Sequence, residues 1–297
     1  MNKLKVGYFA DGPWSHLAFE EIIKKEHIEI QFIVPRYDTK DGTLKNYCSY
    51  YNIPYLIINN INSQEFYELV LKYDCDLFVS MSFNQIFKER IINLPKLKTI
   101  NCHAGKLPFY RGRNILNWVL INDEKEFGIT VHFVDEGIDT GDIIHQKTFP
   151  IDDSDSYATL LQRAYQGCSN VLVEAIDMLA NNNYTLRQQS TIHPVGFYCG
   201  MRGHGDELIN WSQSSRHIFN FIRAICKPGP MATTSLNGKT LRIDKAAMVK
   251  YAPEYLGIAG QIVGKTSRGY LVKTQDTVIE IFDVHFEDRI KIGDRLK

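Results

Sequence analysis

The chain has 297 residues, a length that favours two domains or one large α/β domain with an appendage. Hydrophobic residues make up 44% of the sequence and aromatic residues 12%, which excludes a chain that is mainly disordered. The 34 Lys and Arg residues balance the 34 Asp and Glu residues, so the overall basic charge that collects nucleic acid is excluded as well.

The six cysteines lie far apart, without a C-x-x-C pair or a Cys/His cluster at zinc-finger spacing. This pattern is typical of reduced thiols and predicts no structural metal. The N-terminal segment is not apolar for long enough to be a signal peptide, and no stretch reaches the roughly 18 apolar residues of a membrane span. We therefore expect a soluble cytoplasmic protein.

The first half of the sequence alternates short β-rich runs with helical patterns, which is the pattern of βαβ units. It predicts strands at 5–10, 28–34, 55–58, 76–80, 98–102 and 128–134, with helices at 16–25, 42–51 and 65–71. A longer helix follows, since apolar residues recur with a helical period between Leu160 and Leu179. We expect an α/β domain with a Rossmann-like, mostly parallel sheet and helices on both faces.

The second half begins with a polar, glycine-containing stretch at 181–207, which we interpret as a linker. Beyond it, one short amphipathic helix precedes a β-rich region in which Asn237-Gly238 predicts a type I′ hairpin. The predicted strands lie at 233–236, 240–243, 261–264, 270–274 and 278–284. Residues 1–180 are thus expected to form the first domain, and residues 208–297 a small OB-like antiparallel barrel.

A carboxamide and an imidazole lie one residue apart at the end of a predicted strand. Asn101 and His103 flank Cys102, so their side chains point to the same side of an extended chain. Such a pair can donate to a developing oxyanion through the amide and move a proton through the imidazole. Alone, however, it also fits a structural histidine beside a turn asparagine.

Two glycine-containing loops follow this pair. Leu107–Arg113 carries two arginines, and Gly137–Asp142 comes directly after the predicted strand 128–134. Because open α/β sheets bind ligands at the carboxyl ends of their strands, we expect both loops at the same edge as Asn101 and His103.

The order N-x-H, H-x-x-x-L-P-x-Y-R-G and G-x-D-T-G-D resembles the formyltransferases that use N10-formyltetrahydrofolate. This family includes methionyl-tRNA formyltransferases and sugar-nucleotide N-formyltransferases. The resemblance implies a catalytic triad of Asn101, His103 and Asp139, in which Asp139 orients or charge-stabilises the imidazole, and it implies no metal. It continues into the β-rich region at Ile209–Ser212 and Leu236–Lys239, and so covers nearly the whole chain.

The resemblance also implies the site of N10-formyltetrahydrofolate, whose pterin is held in the family largely by backbone groups. The matching positions are Phe83, Asn84, Gln85 and Ile86 after the central strand, and Val134, Gly137 and Ile138 around the Asp139 loop. The alternative is that these are core residues at a strand–helix junction.

Two substrate classes compete within the family. Methionyl-tRNA formyltransferases typically carry a basic insertion after the second strand, whereas Pro35–Gly42 is short and has two basic and two acidic residues. The segment after His103 resembles instead the arabinose-type sugar-nucleotide formyltransferase. Candidate substrate-binding residues are Trp14, in a turn after the first strand, and Tyr110, Arg111, Arg113 and Asn117. A guanidinium at Arg113 suits a diphosphate.

The sequence therefore predicts an N-formyltransferase for a nucleotide-linked 4-amino-4-deoxy or 4-amino-4,6-dideoxy sugar in bacterial surface glycan synthesis. Methionyl-tRNA formylation is the first alternative, and a non-catalytic protein that binds folate or a nucleotide sugar is the alternative of another class. Glycinamide ribonucleotide formyltransferases are disfavoured because they resemble only the first domain. The expected partner is a nucleotide-linked amino sugar, not nucleic acid or a membrane, and a homodimer is compatible with the sequence.

Overall fold

The computed structural model describes residues 3–297, which form two compact units. The first unit comprises the chain up to Arg113 together with Phe127–Phe149 and Gln162–Cys199. The second comprises Asn114–Glu126, Pro150–Leu161 and Gly200–Lys297. Two short segments from the middle of the chain thus fold with its C-terminal part. The predicted limits at 180 and 207 stay a prediction.

The first unit is built on a six-stranded sheet. Up to Arg113 its elements are β1 (Leu4–Ala10), α1 (Gly12–Ile22), β2 (Ile28–Pro35), α2 (Gly42–Tyr51), α3 (Gln64–Leu71), β3 (Leu77–Met81), α4 (Glu89–Ile92), β4 (Thr99–His103) and β5 (Arg111–Gly112). After α5 (Ile115–Ile121) of the second unit come β6 (Glu126–Phe133), β7 (Ile143–Pro150), α6 (Tyr157–Ala180), α7 (Gln189–Ile192) and β8 (Tyr198–Cys199).

The strand order of this sheet is β2-β1-β3-β4-β6-β7. β1 pairs in parallel with β2 and β3, and β3 pairs in parallel with β4, whereas β4 and β6 are antiparallel. Outside the sheet, the short strands β5 and β8 pair in parallel. The predicted Rossmann-like, mostly parallel α/β fold is therefore confirmed.

Side chains of the strands alternate between the two faces of the sheet. Phe9, Phe32 and Phe78 point to one face, where they join a buried cluster with Phe66 and Val70 of α3. Tyr8, which precedes Phe9, is fully buried on the opposite face of the sheet. Its hydroxyl donates a hydrogen bond to the carbonyl of Ser15 in α1 at 2.9 Å. Helices thus cover both faces, as predicted.

Three local predictions were wrong. α1 begins at Gly12 and not at His16, because Pro13 can occupy the first helical turn at no cost in hydrogen bonds. Trp14, predicted in a turn, therefore lies in this helix, and its ring packs edge-on to that of Tyr165, with 4.6 Å between the ring centroids.

Two strand predictions also differ from the structure. The strand predicted at 55–58 is reduced to a single bridge between Ile33 and Tyr55. β7 was missed, since its partly exposed, polar middle weakens the alternation.

The second unit contains an antiparallel five-stranded sheet. Its elements after α5 are α8 (Ser215–Ile225), β9 (Ala232–Leu236), β10 (Lys239–Met248), β11 (Ile262–Lys265), β12 (Gly269–Lys273) and β13 (Val278–His285). The order is β11-β12-β13-β10-β9. Asn237 and Gly238 both have positive φ, of 52° and 77°, between β9 and β10. The predicted hairpin is confirmed, because a type I′ turn needs positive φ at both central residues.

The C-terminal segment bridges the two edges of this sheet. Ser235 of β9 and Lys297 exchange backbone hydrogen bonds of 2.8 and 2.9 Å, while Ile262 of β11 donates its N–H to the carbonyl of Asp294 at 2.9 Å. The edges are thereby covered, as expected of a small barrel. None of the helices in residues 3–297 is long and apolar enough to cross a membrane.

Candidate active site

The predicted pair lies at the carboxyl end of β4. On one side β4 is parallel to β3, with Ser80 opposite Asn101, and on the other it is antiparallel to β6, with His132 opposite Asn101. The loop between β6 and β7 carries Asp139. Because β6 is antiparallel to β4, β6 ends beside the start of β4. The loop after β6 then reaches back along β4, so that Asp139 contacts Asn101 and His103.

The Asp139 carboxylate lies between three side chains and one backbone N–H. Its Oδ1 lies 3.3 Å from Asn101 Nδ2 and 3.4 Å from His132 Nε2. Its Oδ2 accepts from the N–H of Gly112 at 2.9 Å and lies 3.5 Å from His103 Nδ1. The structure thus brings the three predicted catalytic residues together, at one nearly buried carboxylate whose side chain is 11% exposed.

The charge of this carboxylate is set by opposing effects. Burial raises the pKa of Asp139, but His103, His132 and the N–H of Gly112 lower it by more. The net pKa lies well below the usual range of an aspartate. The site therefore holds a permanent negative charge at neutral pH, and this charge faces two imidazoles.

The orientation of His103 is fixed by a backbone carbonyl. Its Nε2 donates to the carbonyl of Tyr110 at 2.7 Å, which leaves Nδ1 facing Asp139. Gly105 permits this contact, because a Cβ there would lie 2.4 Å from His103 Nε2 and 2.4 Å from the Tyr110 oxygen. Each ring nitrogen of His103 therefore has an oxygen acceptor beside it.

His132 is a second histidine of the site that the sequence analysis missed. Its Nδ1 donates to the carbonyl of Phe133 at 2.7 Å, so Nε2 faces Asn101 Nδ2 at 3.3 Å and Asp139. The residue is 2% exposed. Nothing local in the sequence marks it, since its place depends on the register between β4 and β6.

The loop that carries Asp139 is tightly turned. Asp135 accepts hydrogen bonds from the N–H of Gly137 and from the hydroxyl of Thr140. A Cβ at Gly137 would lie 2.0 Å from that hydroxyl oxygen, so a larger residue there would displace the Thr140 side chain. Asp139 itself adopts a left-handed conformation with φ of 54°. Ile138 beside it is 53% exposed.

The predicted folate segment 83–86 is held mainly by its side chains. Phe83 is half-buried, with its ring 5.6 Å from that of Phe9, and the Gln85 carboxamide bonds the backbone at Ile58 and Ile61. Asn84 donates to Asp38 at 3.3 Å.

Two exposed apolar side chains lie on the two predicted folate segments, Ile86 at 65% and Ile138 at 53% exposure. Val134 is half-buried against the aromatic cluster, and its N–H donates to the carbonyl of Thr99 at 2.8 Å. Each predicted folate segment thus exposes one apolar side chain, and the contact of these side chains with a pterin stays a prediction.

The predicted substrate-binding residues have diverse environments. Arg111 donates twice to Gln189, at 3.1 and 2.6 Å, and Asn117 in the second unit is buried and donates to the carbonyl of Ala224 at 2.5 Å. Both side chains thus have structural tasks. Tyr110 is buried and contributes its carbonyl to His103, whereas Arg113 is exposed. Contacts of these residues with a substrate stay predictions.

Within residues 3–297, His, Cys, Asp and Glu side chains form no group of three or more that could hold a metal ion. All six cysteines are free thiols.

Models of two protein domains match the chain. The model described as formyl transferase matches residues 12–176, and the model described as formyl transferase, C-terminal domain, matches residues 203–294. The first alone covers more than half of the chain.

Two named relatives show how far the sequence similarity extends. The methionyl-tRNA formyltransferase of Syntrophus aciditrophicus is 33% identical over 243 residues, which are 82% of this chain and 76% of that protein. The bifunctional polymyxin resistance protein ArnA of Wigglesworthia glossinidia brevipalpis is 33% identical over 196 residues, which are 66% of this chain and 30% of that protein.

A solved structure with a similar fold is that of the N-formyltransferase from Helicobacter canadensis, in complex with folinic acid and dTDP-3-aminofucose. It superposes with a TM-score of 0.68 over 96% of this chain and 100% of that chain, at 22% sequence identity. A likeness at this identity concerns the fold.

Proposed function

The chain belongs to the formyl transferase family, and we propose that it transfers a formyl group from N10-formyltetrahydrofolate to the amino group of a nucleotide-linked amino sugar. The observation that carries the proposal is the contact of one charged carboxylate, Asp139, with both Asn101 and His103. A 4-amino-4-deoxy or 4-amino-4,6-dideoxy sugar of a bacterial surface glycan is the acceptor we favour.

When bound, the folate supplies the formyl group that is transferred. Asn101 has an amide donor at the carboxyl end of β4, where it can turn from Asp139 and stabilise negative charge on the formyl oxygen. Its hydrogen bonds of 3.3 Å to Asp139 and His132 are long enough to be exchanged for a substrate atom.

The proton of the attacking amine has a path through His103. Asp139 stabilises an imidazolium at His103 Nδ1, and the carbonyl of Tyr110 keeps the ring in that orientation. As the bond between the formyl carbon and N10 of the folate breaks, the imidazole passes the amine proton to N10. Asp139 stays negatively charged throughout, because its own pKa is held low. Ile86 and Ile138 would supply apolar contacts to the bound folate.

The loop after β2 supports a small acceptor over tRNA, because its two basic residues are balanced by two acidic ones. Arg36 donates to Asp38 through Nε and Nη2 at 3.1 and 2.7 Å, and Asp11 lies close enough to interact with both Arg36 and Asp41. β2 is parallel to β1, β1 to β3 and β3 to β4, so this loop lies at the same sheet edge as His103. A loop without net positive charge offers little attraction to the many phosphates of tRNA, whereas its carboxylates can accept hydrogen bonds from sugar hydroxyls.

Methionyl-tRNA formylation remains the second candidate, because the similarity to the enzyme of Syntrophus aciditrophicus extends over most of both chains. In contrast, the bound dTDP-3-aminofucose of the Helicobacter canadensis enzyme supports an acceptor of the amino-sugar class.

The decisive experiment offers both substrate classes to the same protein. The protein is incubated with N10-formyltetrahydrofolate and one acceptor at a time: nucleotide-linked 3-amino sugars, nucleotide-linked 4-amino sugars or methionyl-tRNA. Mass spectrometry of the products then detects the gain of one formyl group. We expect formylation of an amino sugar, and none with His103→Ala as the control. Formylation of methionyl-tRNA alone would replace the proposal by the second candidate, and a fully active His103→Ala variant would contradict the catalytic assignment.

A further inference from the structure

Gln189 lies in the stretch that the sequence analysis interpreted as a linker, yet its side chain is buried and fully bonded. The residue, at the start of α7, is 4% exposed. Its Oε1 accepts from Arg111 Nε at 3.1 Å and from Arg111 Nη2 at 2.6 Å. Its Nε2 donates to the carbonyls of Asp139 and Gly141, each at 2.8 Å. A carboxamide has two donors and one oxygen with two lone pairs, so its capacity is used completely.

These four bonds join the two loops that form the site. Arg111 directly precedes Gly112, whose N–H binds the Asp139 carboxylate. Gln189 holds the backbone of the other loop at Asp139 itself and two residues beyond. One side chain thereby fixes the distance between the N–H at Gly112 and the carboxylate that accepts from it.

Asp139 needs such support because its backbone is strained. A left-handed φ of 54° is disfavoured for a residue with a Cβ and persists only where surrounding contacts enforce it. The position of Gly141 is equally tight, since a Cβ there would lie 1.9 Å from the carbonyl oxygen of Phe133. A shift of this loop moves the carboxylate away from His103 and His132.

We propose that Gln189 is a positioning residue of the reaction. Its two N–H donors keep the Asp139 carboxylate against the imidazoles, and its oxygen couples this position to Arg111. The inference rests on the proposed function for its kinetic consequence. Its structural content, that Gln189 sets the environment of Asp139, can be tested without any substrate.

Gln189→Glu isolates the donor role. The carboxylate keeps the size of the side chain and still accepts from Arg111, now as an ion pair, so the link to Arg111 survives. It loses both donors and sets an oxygen against the carbonyls of Asp139 and Gly141. We expect this repulsion to displace the Asp139 loop while the fold is retained.

Asn220→Asp is the matched control in the second unit. Asn220 is also fully buried, and its oxygen accepts from an arginine, Arg223 Nε, at 3.0 Å. This variant makes the same change from amide to carboxylate away from Asp139. It therefore shows which effects arise only because a buried charge lowers the stability of the protein.

Two measurements, kcat and the acid titration of Asp139, distinguish a positioning role of Gln189 from a merely structural one. We expect kcat of Gln189→Glu to fall by about 10²-fold, the scale of a misplacement by about 1 Å, with the KM for the acceptor nearly unchanged. We also expect the Asp139 pKa to rise toward its usual range, visible as an acid titration of its ¹³C carboxyl resonance and as an acid limb of kcat/KM at higher pH. Asn220→Asp should leave kcat and the Asp139 titration as in the wild type.

The proposal is overturned if Gln189→Glu folds and keeps the wild-type kcat and Asp139 titration, or if Asn220→Asp causes the same losses. Gln189→Met, which cannot donate, gives the same test if the glutamate variant does not fold. If the wild type formylates no acceptor but the Asp139 titration still shifts in Gln189→Glu, the proposed function fails and the positioning role of Gln189 stands.

Discussion

Replacing Asp139 by asparagine removes the charge at the centre of the site with little change in shape. Asparagine tolerates a left-handed backbone better than most residues, so the φ of 54° is retained. Its carboxamide oxygen can still accept from the N–H of Gly112, a bond of 2.9 Å in the wild type. Asp139→Asn therefore tests the negative charge and not the loop.

The size of the effect follows from the two imidazoles that face the carboxylate. His103 Nδ1 lies 3.5 Å and His132 Nε2 lies 3.4 Å from its oxygens, in a side chain that is 11% exposed. A hydrogen bond to a charged group contributes about 1.5–3 kcal/mol, and losing it at the upper end lowers a rate about 10²-fold. We expect kcat to fall by about that factor.

The assay is single-turnover formyl transfer, with circular dichroism to verify the fold. Asp177→Asn is the control, because Asp177 is also a carboxylate paired with a histidine, His27 at 2.9 Å, but at the protein surface. A folded Asp139→Asn enzyme with kcat within about threefold of the wild type would refute the reasoning, as would an equal loss in Asp177→Asn.

The same substitution has a pH-dependent effect on stability. The folded pKa of Asp139 is depressed, so its charge stabilises the fold above the unfolded value of about 3.9, and this stabilisation is lost as pH falls toward the folded value. The difference in free energy of unfolding between wild type and Asp139→Asn should therefore shrink in acid. Denaturant titrations at several pH values measure it, and a difference that grows in acid would contradict the sign.

Gly105→Ala should lower kcat at least about tenfold with the fold retained, because the added Cβ would lie 2.4 Å from His103 Nε2 and displace the ring from the Tyr110 carbonyl. Steady-state kinetics measure this effect, and a fully active variant would contradict it. Phe9→Ala should reduce the free energy of unfolding by about 3–5 kcal/mol, since the Phe9 ring packs against five aromatic rings in the core. Urea denaturation tests the latter, and a loss below about 1 kcal/mol would show that the cluster adapts to the cavity.

The sequence by itself determined the features that depend on local pattern. Alternating β and helical runs gave the α/β class, Asn237-Gly238 gave the hairpin, and the spacing of Asn101 and His103 placed both side chains on one side of a strand end. Periodicity and turn chemistry act over a few residues, so they can be recognised without knowing the neighbours of a strand. The resemblance of the ordered motifs to a family added Asp139 to this pair.

Only the tertiary structure decided which distant residues complete the site. His132 lies 31 residues from Asn101 and meets it through the register of β4 with β6. Gln189 lies 50 residues from Asp139, in a polar stretch with the composition of a linker. Arg111 has the charge expected of a ligand-binding residue, yet its partner is Gln189. Strand register and long-range hydrogen bonds depend on the packing of the whole unit, and no local pattern of residues encodes them.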